Sequence, residues 1–220
     1  MNVKSRKLFA GSVYLLAAFV LWTAVVRFVD VEPIGPWGSK VGLATMNGFF
    51  HHLTGVHMTL YLITDWLGLV PIGVALGFAV LGLVQWIRRK CIGKVDFSIL
   101  ALGGFYLLVI AAYVFFEVHV VNYRPVLIEG YLEASYPSST TLLVLCVMST
   151  AVIQIHVRIP NGIIRKCATW ALTAFMGFMV IGRLISGVHW LTDIIGGALL
   201  SGGLVMMYAT VIYRKMPGCF

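Results

Sequence analysis

At 220 residues, 60% hydrophobic and only 11% charged, the chain is far too apolar for a soluble domain of ordinary composition. With roughly 20 residues per span, it has room for several transmembrane helices and little else. A net charge of +8 would suit nucleic acid, but in a membrane protein a basic excess belongs to the cytoplasmic loops, and its distribution along the chain decides between the two. Cys91, Cys146, Cys167 and Cys219 are scattered, with no metal-like, redox or disulfide-framework spacing.

Residues 1–7 carry Lys4, Arg6 and Lys7, and 8–28 form the first apolar run. This run is longer than a signal-peptide core and has no small-x-small cleavage site, so it predicts an uncleaved span. Pro33, Gly35, Pro36 and Gly38 predict a loop. Residues 39–66 mix Met46, Phe49, Phe50 and Leu53 with Asn47, His51, His52 and His57; this is too polar to span and predicts one or two short helices on the membrane surface. The three histidines lack acidic or Cys partners at ligand spacing and read as surface or hydrogen-bonded side chains. Further spans are predicted at 67–87, 97–116, 140–155, 167–185 and 191–213. Gly73 and Gly77 give the second a small face for helix packing, and the last is rich in glycine. The fold class expected is a single all-α membrane domain over 1–220, six transmembrane helices in one bundle with short interfacial helices between spans 1 and 2.

Six spans place both termini on one side, together with Lys4, Arg6, Lys7, Arg88, Arg89, Lys90, Lys94, Arg158, Arg165, Lys166, Arg214 and Lys215. The other side keeps only Arg27, Lys40, Arg124 and Arg183, and every acid except Asp96. The positive-inside rule puts both termini in the cytoplasm, and the basic pI needs no nucleic acid partner. A short chain of this kind fits a bacterial plasma membrane.

Two polar stretches share the extracytoplasmic side. One runs from Gly182 to Asp193 and holds Arg183, His189 and Asp193 between apolar runs, where ionisable groups are expensive and suggest function. His189 and Asp193 are four apart, one helical turn, so the carboxylate can orient the ring. The same residues also suit a plainer reading: Arg183 snorkelling, His189 and Trp190 in an interfacial belt, and Asp193 capping the next helix. The other stretch contains Glu117, His119, Tyr123, Arg124 and Pro125, then Tyr136-Pro137-Ser138-Ser139-Thr140. Two arginines brought together at a membrane edge, with a His and hydroxyls, would suit a phosphate, because guanidinium forks match phosphate oxygens in pairs. Tyr123 and Tyr136 read as belt aromatics.

In these two stretches the chain resembles the type 2 phosphatidic acid phosphatase superfamily, the membrane lipid phosphatases related to vanadium haloperoxidases. The resemblance runs from about the second span to the end. That family carries three signatures in this order: Lys-x6-Arg-Pro, Pro-Ser-Gly-His and Ser-Arg-x5-His-x3-Asp. Arg183, His189 and Asp193 fit the third, with Gly182 for the leading Ser. Arg124-Pro125 fit the first, with Glu117 in place of the Lys. Pro137-Ser138 fit the second, with Ser139 for Gly and Thr140 for His.

The resemblance implies a metal-independent lipid phosphatase or phosphotransferase without a cofactor, acting on a lipid phosphate or diphosphate at the extracytoplasmic face. It implies His189 as the nucleophile that forms a phosphohistidine, Asp193 as its orienting partner, and Arg124 and Arg183 as phosphate ligands. Ser138 and the Ser139 amide would be further donors. The departures bear on mechanism. Thr140 cannot protonate a leaving oxygen, a service typically worth about 10²–10⁴-fold. A diphosphate such as a polyprenyl diphosphate needs that proton less than a monoester does, so it is the expected substrate. Glu117, if protonated, or His119 would be an auxiliary donor; both equally suit residues facing lipid headgroups. The alternative is a catalytically impaired homologue that binds phospholipid or acts as a scaffold.

Overall fold

In a computed structural model, residues 3–216 are described; Cys219 lies outside them. Helix α1 is Val3–Phe28, α2 Ala44–Thr54, α3 Met58–Leu67, α4 Leu69–Arg89, α5 Phe97–Val118, α6 Ser139–Arg158, α7 Gly162–Ile185 and α8 Leu191–Lys215. Among the described residues six helical stretches are long and apolar enough to cross a membrane, one of them the 32-residue run Met58–Arg89. The all-α architecture expected from composition is the one observed.

Helix ends extend beyond the apolar runs wherever charged residues can continue a helix. Arg88 and Arg89 finish α4, His156 and Arg158 finish α6, and Arg214 and Lys215 finish α8, cations at the C-terminal end where the backbone dipole favours them. The Asn161 side chain caps α7 by accepting from the Ile163 and Ile164 amides, which moves its start back to Gly162.

One boundary differs in kind. Residues 58–66 are not a separate surface element: α3 passes through Gly68, itself in right-handed helical conformation, straight into α4. Its polar residues have partners. The Thr64 hydroxyl donates to the Leu60 and Tyr61 carbonyls, and Asp65 pairs with Arg183. The remaining short helix, α2, is anchored rather than floating. Buried Asn47 donates to the Gly42 carbonyl and to Thr192 Oγ1, tying α2 to the start of α8.

Helices α1 and α8 pack along their length. Ser12 donates to the Gly203 carbonyl at 2.8 Å, and a Cβ on Gly203 would press on Leu16. Helix α6 lies between α8 and α7 and is half-buried, as is α8, whereas the other spans keep mostly apolar, exposed outer faces. The bundle has two distinct ends. At one, Lys4 lies over the Tyr213 ring, Lys215 over Phe97, and Asp96 pairs with both Arg89 and Arg158. Beneath that cluster the buried Gln154 donates to the Ser98 carbonyl and Tyr208 Oη, closing α5, α6 and α8 together. At the other end lie Arg124, Arg183, His189 and Asp193.

Candidate functional site

Three backbone devices assemble this end. The first is a tight hairpin over 122–135. Glu129 and Gly130 both take positive φ at its tip, and the Arg124 amide donates to the Glu133 carbonyl. The Ser135 amide donates to the Asn122 carbonyl, so the hairpin places Arg124 and Ser135 on its two facing arms. The second is the turn 186–190 between α7 and α8. Gly187 has φ +68, and a Cβ there would overlap the Gly55 carbonyl; the His57 amide donates to the Ser186 carbonyl. This turn is therefore held against the α2–α3 junction by close backbone contact, with the His51 ring packed against Trp190. The third is the start of α6, where the Ser138 amide donates to the Asp193 carbonyl at 3.0 Å and binds α6 to α8.

His189 and Asp193 are both buried on one side of this assembly. Their direct approach is 3.8 Å from Nδ1 to Oδ2, too long for a hydrogen bond. Ser135 fills the gap: its hydroxyl donates to Asp193 Oδ2 in a short bond and stands 3.0 Å from His189 Nδ1. Because the Ser135 proton is committed to the carboxylate, its lone pair accepts from Nδ1–H. The imidazole is thereby fixed as the Nδ1–H tautomer, with the Nε2 lone pair facing away from Ser135. Asp193 Oδ2 also accepts from the Trp190 amide at 2.9 Å, so the helix-capping reading of Asp193 holds alongside its place next to His189.

Two guanidinium groups lie close enough to His189 to act on its charge. Both lie over the Tyr61 ring, Arg183 at 5.0 Å and Arg124 at 5.8 Å from its centroid. Arg183 is 1% exposed and points inward, so it does not snorkel to the interface. Its Nη2 donates to Asp65 Oδ1 at 2.8 Å and to Thr140 Oγ1. Arg124 Nε is 3.1 Å from Glu133 Oε2 but out of line for a hydrogen bond. Arg124 Nη1, Arg183 Nε and Nη1, and His189 Nε2 are buried with no partner inside the protein. A buried donor left unpaired costs about 1–3 kcal/mol, so such a group invites an anion. Burial pushes the His189 imidazolium down to about 4, reinforced by Arg124 and Arg183 and opposed by Asp193. The ring is neutral at neutral pH.

Of the other predicted site residues, Thr140 is bonded to Arg183, and Glu117 and His119 fall elsewhere. The Ser138 hydroxyl is fully buried and caps α6 by accepting from the Thr141 amide. Ser139, half-buried, and Thr140 sit in the first turn of α6, where unpaired amides favour anions. Glu117 is exposed and interacts with Tyr113, one turn back on α5. His119 is exposed, stacked on Phe115 and bonded to its carbonyl, away from His189. Tyr136 is no belt aromatic: it is 2% exposed, stacked on Phe19 and hydrogen-bonded to Thr23, with Gly196 making room for its ring. Tyr123 lends its carbonyl to the buried Trp190 indole. Among the described residues no three His, Cys, Asp or Glu side chains are grouped as metal ligands.

Residues 65–147 also line an apolar groove of about 610 Å³ between α4, α5 and α6. Leu69, Ile72, Leu76, Val109 and Leu143 form its walls; Asp65, Ser139 and Thr140 form its polar end, directly beside Arg183. Ser135, Tyr61 and Asp65 escape a reading of the sequence, because nothing in an isolated Ser, Tyr or Asp marks it for a site formed by distant segments.

With this geometry in hand, comparison with solved structures is informative. A crystal structure of a transmembrane PAP2-type phosphatidylglycerolphosphate phosphatase from Bacillus subtilis superposes with a TM-score of 0.53, covering 93% of this chain and 96% of that one at 19% identity. The two chains share a fold. No protein-family profile matches the sequence, and no curated protein matches it. The PAP2-type fold here spans α1 to α8 almost entirely, with the site described above at one end of the bundle.

Proposed function

We propose that the chain is a membrane lipid phosphatase that transfers the phosphoryl group of a lipid phosphate or diphosphate to His189 and then to water. The observation that carries this reading is the set of buried, unpartnered nitrogens: Arg124 Nη1, Arg183 Nε and Nη1, and His189 Nε2. Guanidinium donors and a nucleophilic lone pair near one another match a phosphoryl group and the nitrogen that would attack it. The neutral state of His189 supports attack, because a protonated ring has no lone pair to offer. Asp193, through Ser135, stabilises the positive charge that the ring acquires as the N–P bond forms. The apolar groove ending at Arg183 supports a lipid rather than a soluble substrate. The distribution of basic residues supports cytoplasmic termini and an extracytoplasmic site.

Thr140 takes the place of an acid in the signature it resembles, and its hydroxyl is bonded to Arg183. Position 140 therefore offers no proton to a leaving oxygen, and a lipid diphosphate, whose leaving group is a weak base, depends on one least. Incubation of the purified protein with a ³²P-labelled lipid diphosphate, followed by a rapid alkaline quench, tests the reading. Acid-labile, alkali-stable label lost in His189→Ala is the expected result. Absence of label and of phosphate release, with vanadate still bound, would favour a lipid-binding protein.

A further inference from the structure

We infer that Asp65 is the acid that protonates the leaving oxygen of a lipid phosphomonoester. This inference rests on the phosphohistidine reading above and assigns it a residue outside all three signatures.

Attack by His189 Nε2 expels the lipid oxygen on the far side of phosphorus, and the lipid chain must continue into apolar surroundings. The groove between α4, α5 and α6 supplies them, and it meets Arg183 at Asp65 and Thr140. The oxygen that joins lipid to phosphorus therefore sits at that polar end. Ser139, Thr140 and Asp65 line it, with the Tyr113 phenol near Ser139. The Ser and Thr hydroxyls do not ionise near neutral pH and are not useful acids, and the Tyr113 hydroxyl is engaged by Glu117. Other candidates lie elsewhere. Glu117 is bonded to Tyr113 and lines an adjoining small cavity with Ser135 and Tyr136, His119 is stacked on Phe115, and Glu133 pairs with Arg124.

Asp65 is suited to the part by its pairing. Its carboxylate bonds Arg183 Nη2 at 2.8 Å while its side chain is 54% exposed, against 2% for Arg183. A phosphate dianion arriving on Arg183 competes with the carboxyl for that nitrogen and frees it to meet the leaving oxygen. The exposed side chain gives its proton a path from water.

The steps then balance. The His189 Nε2 lone pair forms the N–P bond, the P–O bond to the lipid breaks, and the oxygen leaves with its electron pair and takes the Asp65 proton. In the second step water attacks the phosphohistidine, the N–P bond breaks with its electrons returning to nitrogen, and the Asp65 carboxylate accepts the proton from the water. Monoester and water become alcohol and inorganic phosphate.

The test is the dependence on leaving group. Hydrolysis of a lipid monoester and of a lipid diphosphate is measured for wild type, Asp65→Asn and Asp65→Glu. Loss of the Arg183 partner slows D65N on both substrates, but the monoester should fall about 10²-fold further, and D65E should recover most of that difference. Equal losses on both substrates, or no loss, would overturn the inference and leave Asp65 a holder of Arg183. For the wild type, rates over a series of alkyl and aryl phosphates should depend weakly on leaving-group basicity; a steep dependence would overturn it even if D65N does not fold. If the wild type releases phosphate from nothing and takes no label on His189, the proposed function itself fails, and this inference with it.

Discussion

Ser135 Oγ stands between His189 and Asp193, donating to the Asp193 carboxylate and lying 3.0 Å from His189 Nδ1. The two ionisable groups are 3.8 Å apart and communicate through this hydroxyl. Ser135→Ala removes the acceptor of the Nδ1–H bond inside a buried site, a loss of about 1–3 kcal/mol. If that loss is felt as positive charge develops on the ring, kcat falls about 10–100-fold while KM changes little. Steady-state kinetics on a lipid diphosphate measure this; a change confined to KM would assign Ser135 to substrate binding instead.

The acid side of the pH profile follows from the environment of His189. Burial, with Arg124 and Arg183 nearby, holds its imidazolium at about 4 against an ordinary 6.5. The nucleophile therefore stays unprotonated down to about pH 5, and the acid limb of kcat/KM, which reports the free enzyme, should fall near 4 rather than 6.5. Arg124→Gln removes a positive charge that disfavours protonation, so the limb should move to higher pH. The same shift acts on folding. Between pH 6.5 and 4 the unfolded chain binds a proton that the folded His189 does not, so its contribution to stability declines as pH falls through that window. A limb that stays in place in R124Q would place Arg124 away from the nucleophile.

How much of this was legible beforehand varies with residue type. Arg183, His189 and Asp193 stand out because ionisable groups between apolar runs are costly anywhere except an interior or a wet edge. The six spans follow from apolar length alone. What the sequence hides is partnership. Ser135 looks like any loop serine until the 122–135 hairpin and α8 bring it to Asp193. Asn47 and three histidines make residues 39–66 look too polar to span, and Asp65 at the end of that stretch finds its partner 118 positions away on α7. Tyr136 has the composition of an interfacial aromatic and the contacts of a core one, and only Phe19, Thr23 and Gly196 separate the two readings. Ser138 offers a hydroxyl that looks free for a ligand, but a Ser at the start of a helix is also a cap, and capping is what it does.

Arg183 should tolerate no conservative replacement. Its Nη2 is occupied by Asp65 and Thr140, while Nε and Nη1 are unpartnered, so one planar group reaches three directions at once. A Lys at this position keeps the charge and loses the fork. Losing one charge-assisted hydrogen bond costs about 1.5–3 kcal/mol, so Arg183→Lys should weaken inhibition by vanadate about 10–100-fold. Competition assays at constant ionic strength read this directly, and an unchanged inhibition constant would remove Arg183 from the anion site.

Gly187 is a structural requirement of the same site. With φ at +68 and the Gly55 carbonyl where a Cβ would stand, an Ala here meets both backbone strain and overlap. The left-handed conformation alone costs roughly 1–2 kcal/mol for an L-residue. Gly187→Ala should lower the Tm in detergent and displace the turn that carries His189. The mirror control is Gly104→Ala on α5, where a Cβ meets no atom within 4 Å, and whose Tm should not fall.

Thr140 and Asp65 meet at one atom, Arg183 Nη2. A side chain at position 140 therefore reaches the neighbourhood assigned to the leaving oxygen, and chemistry lost at one of the two positions should be recoverable from the other. Thr140→His puts a group that titrates near neutral pH where the hydroxyl cannot act as an acid. Introduced alone, it adds a second acid beside Asp65 and should change monoester turnover modestly. Introduced into Asp65→Asn, it should restore monoester hydrolysis by about tenfold or more, with little effect on the diphosphate, whose departure needs no proton. Recovery on both substrates alike would mean that the imidazole repairs the seat of Arg183. Recovery on the monoester alone would identify the missing proton as what D65N had lost.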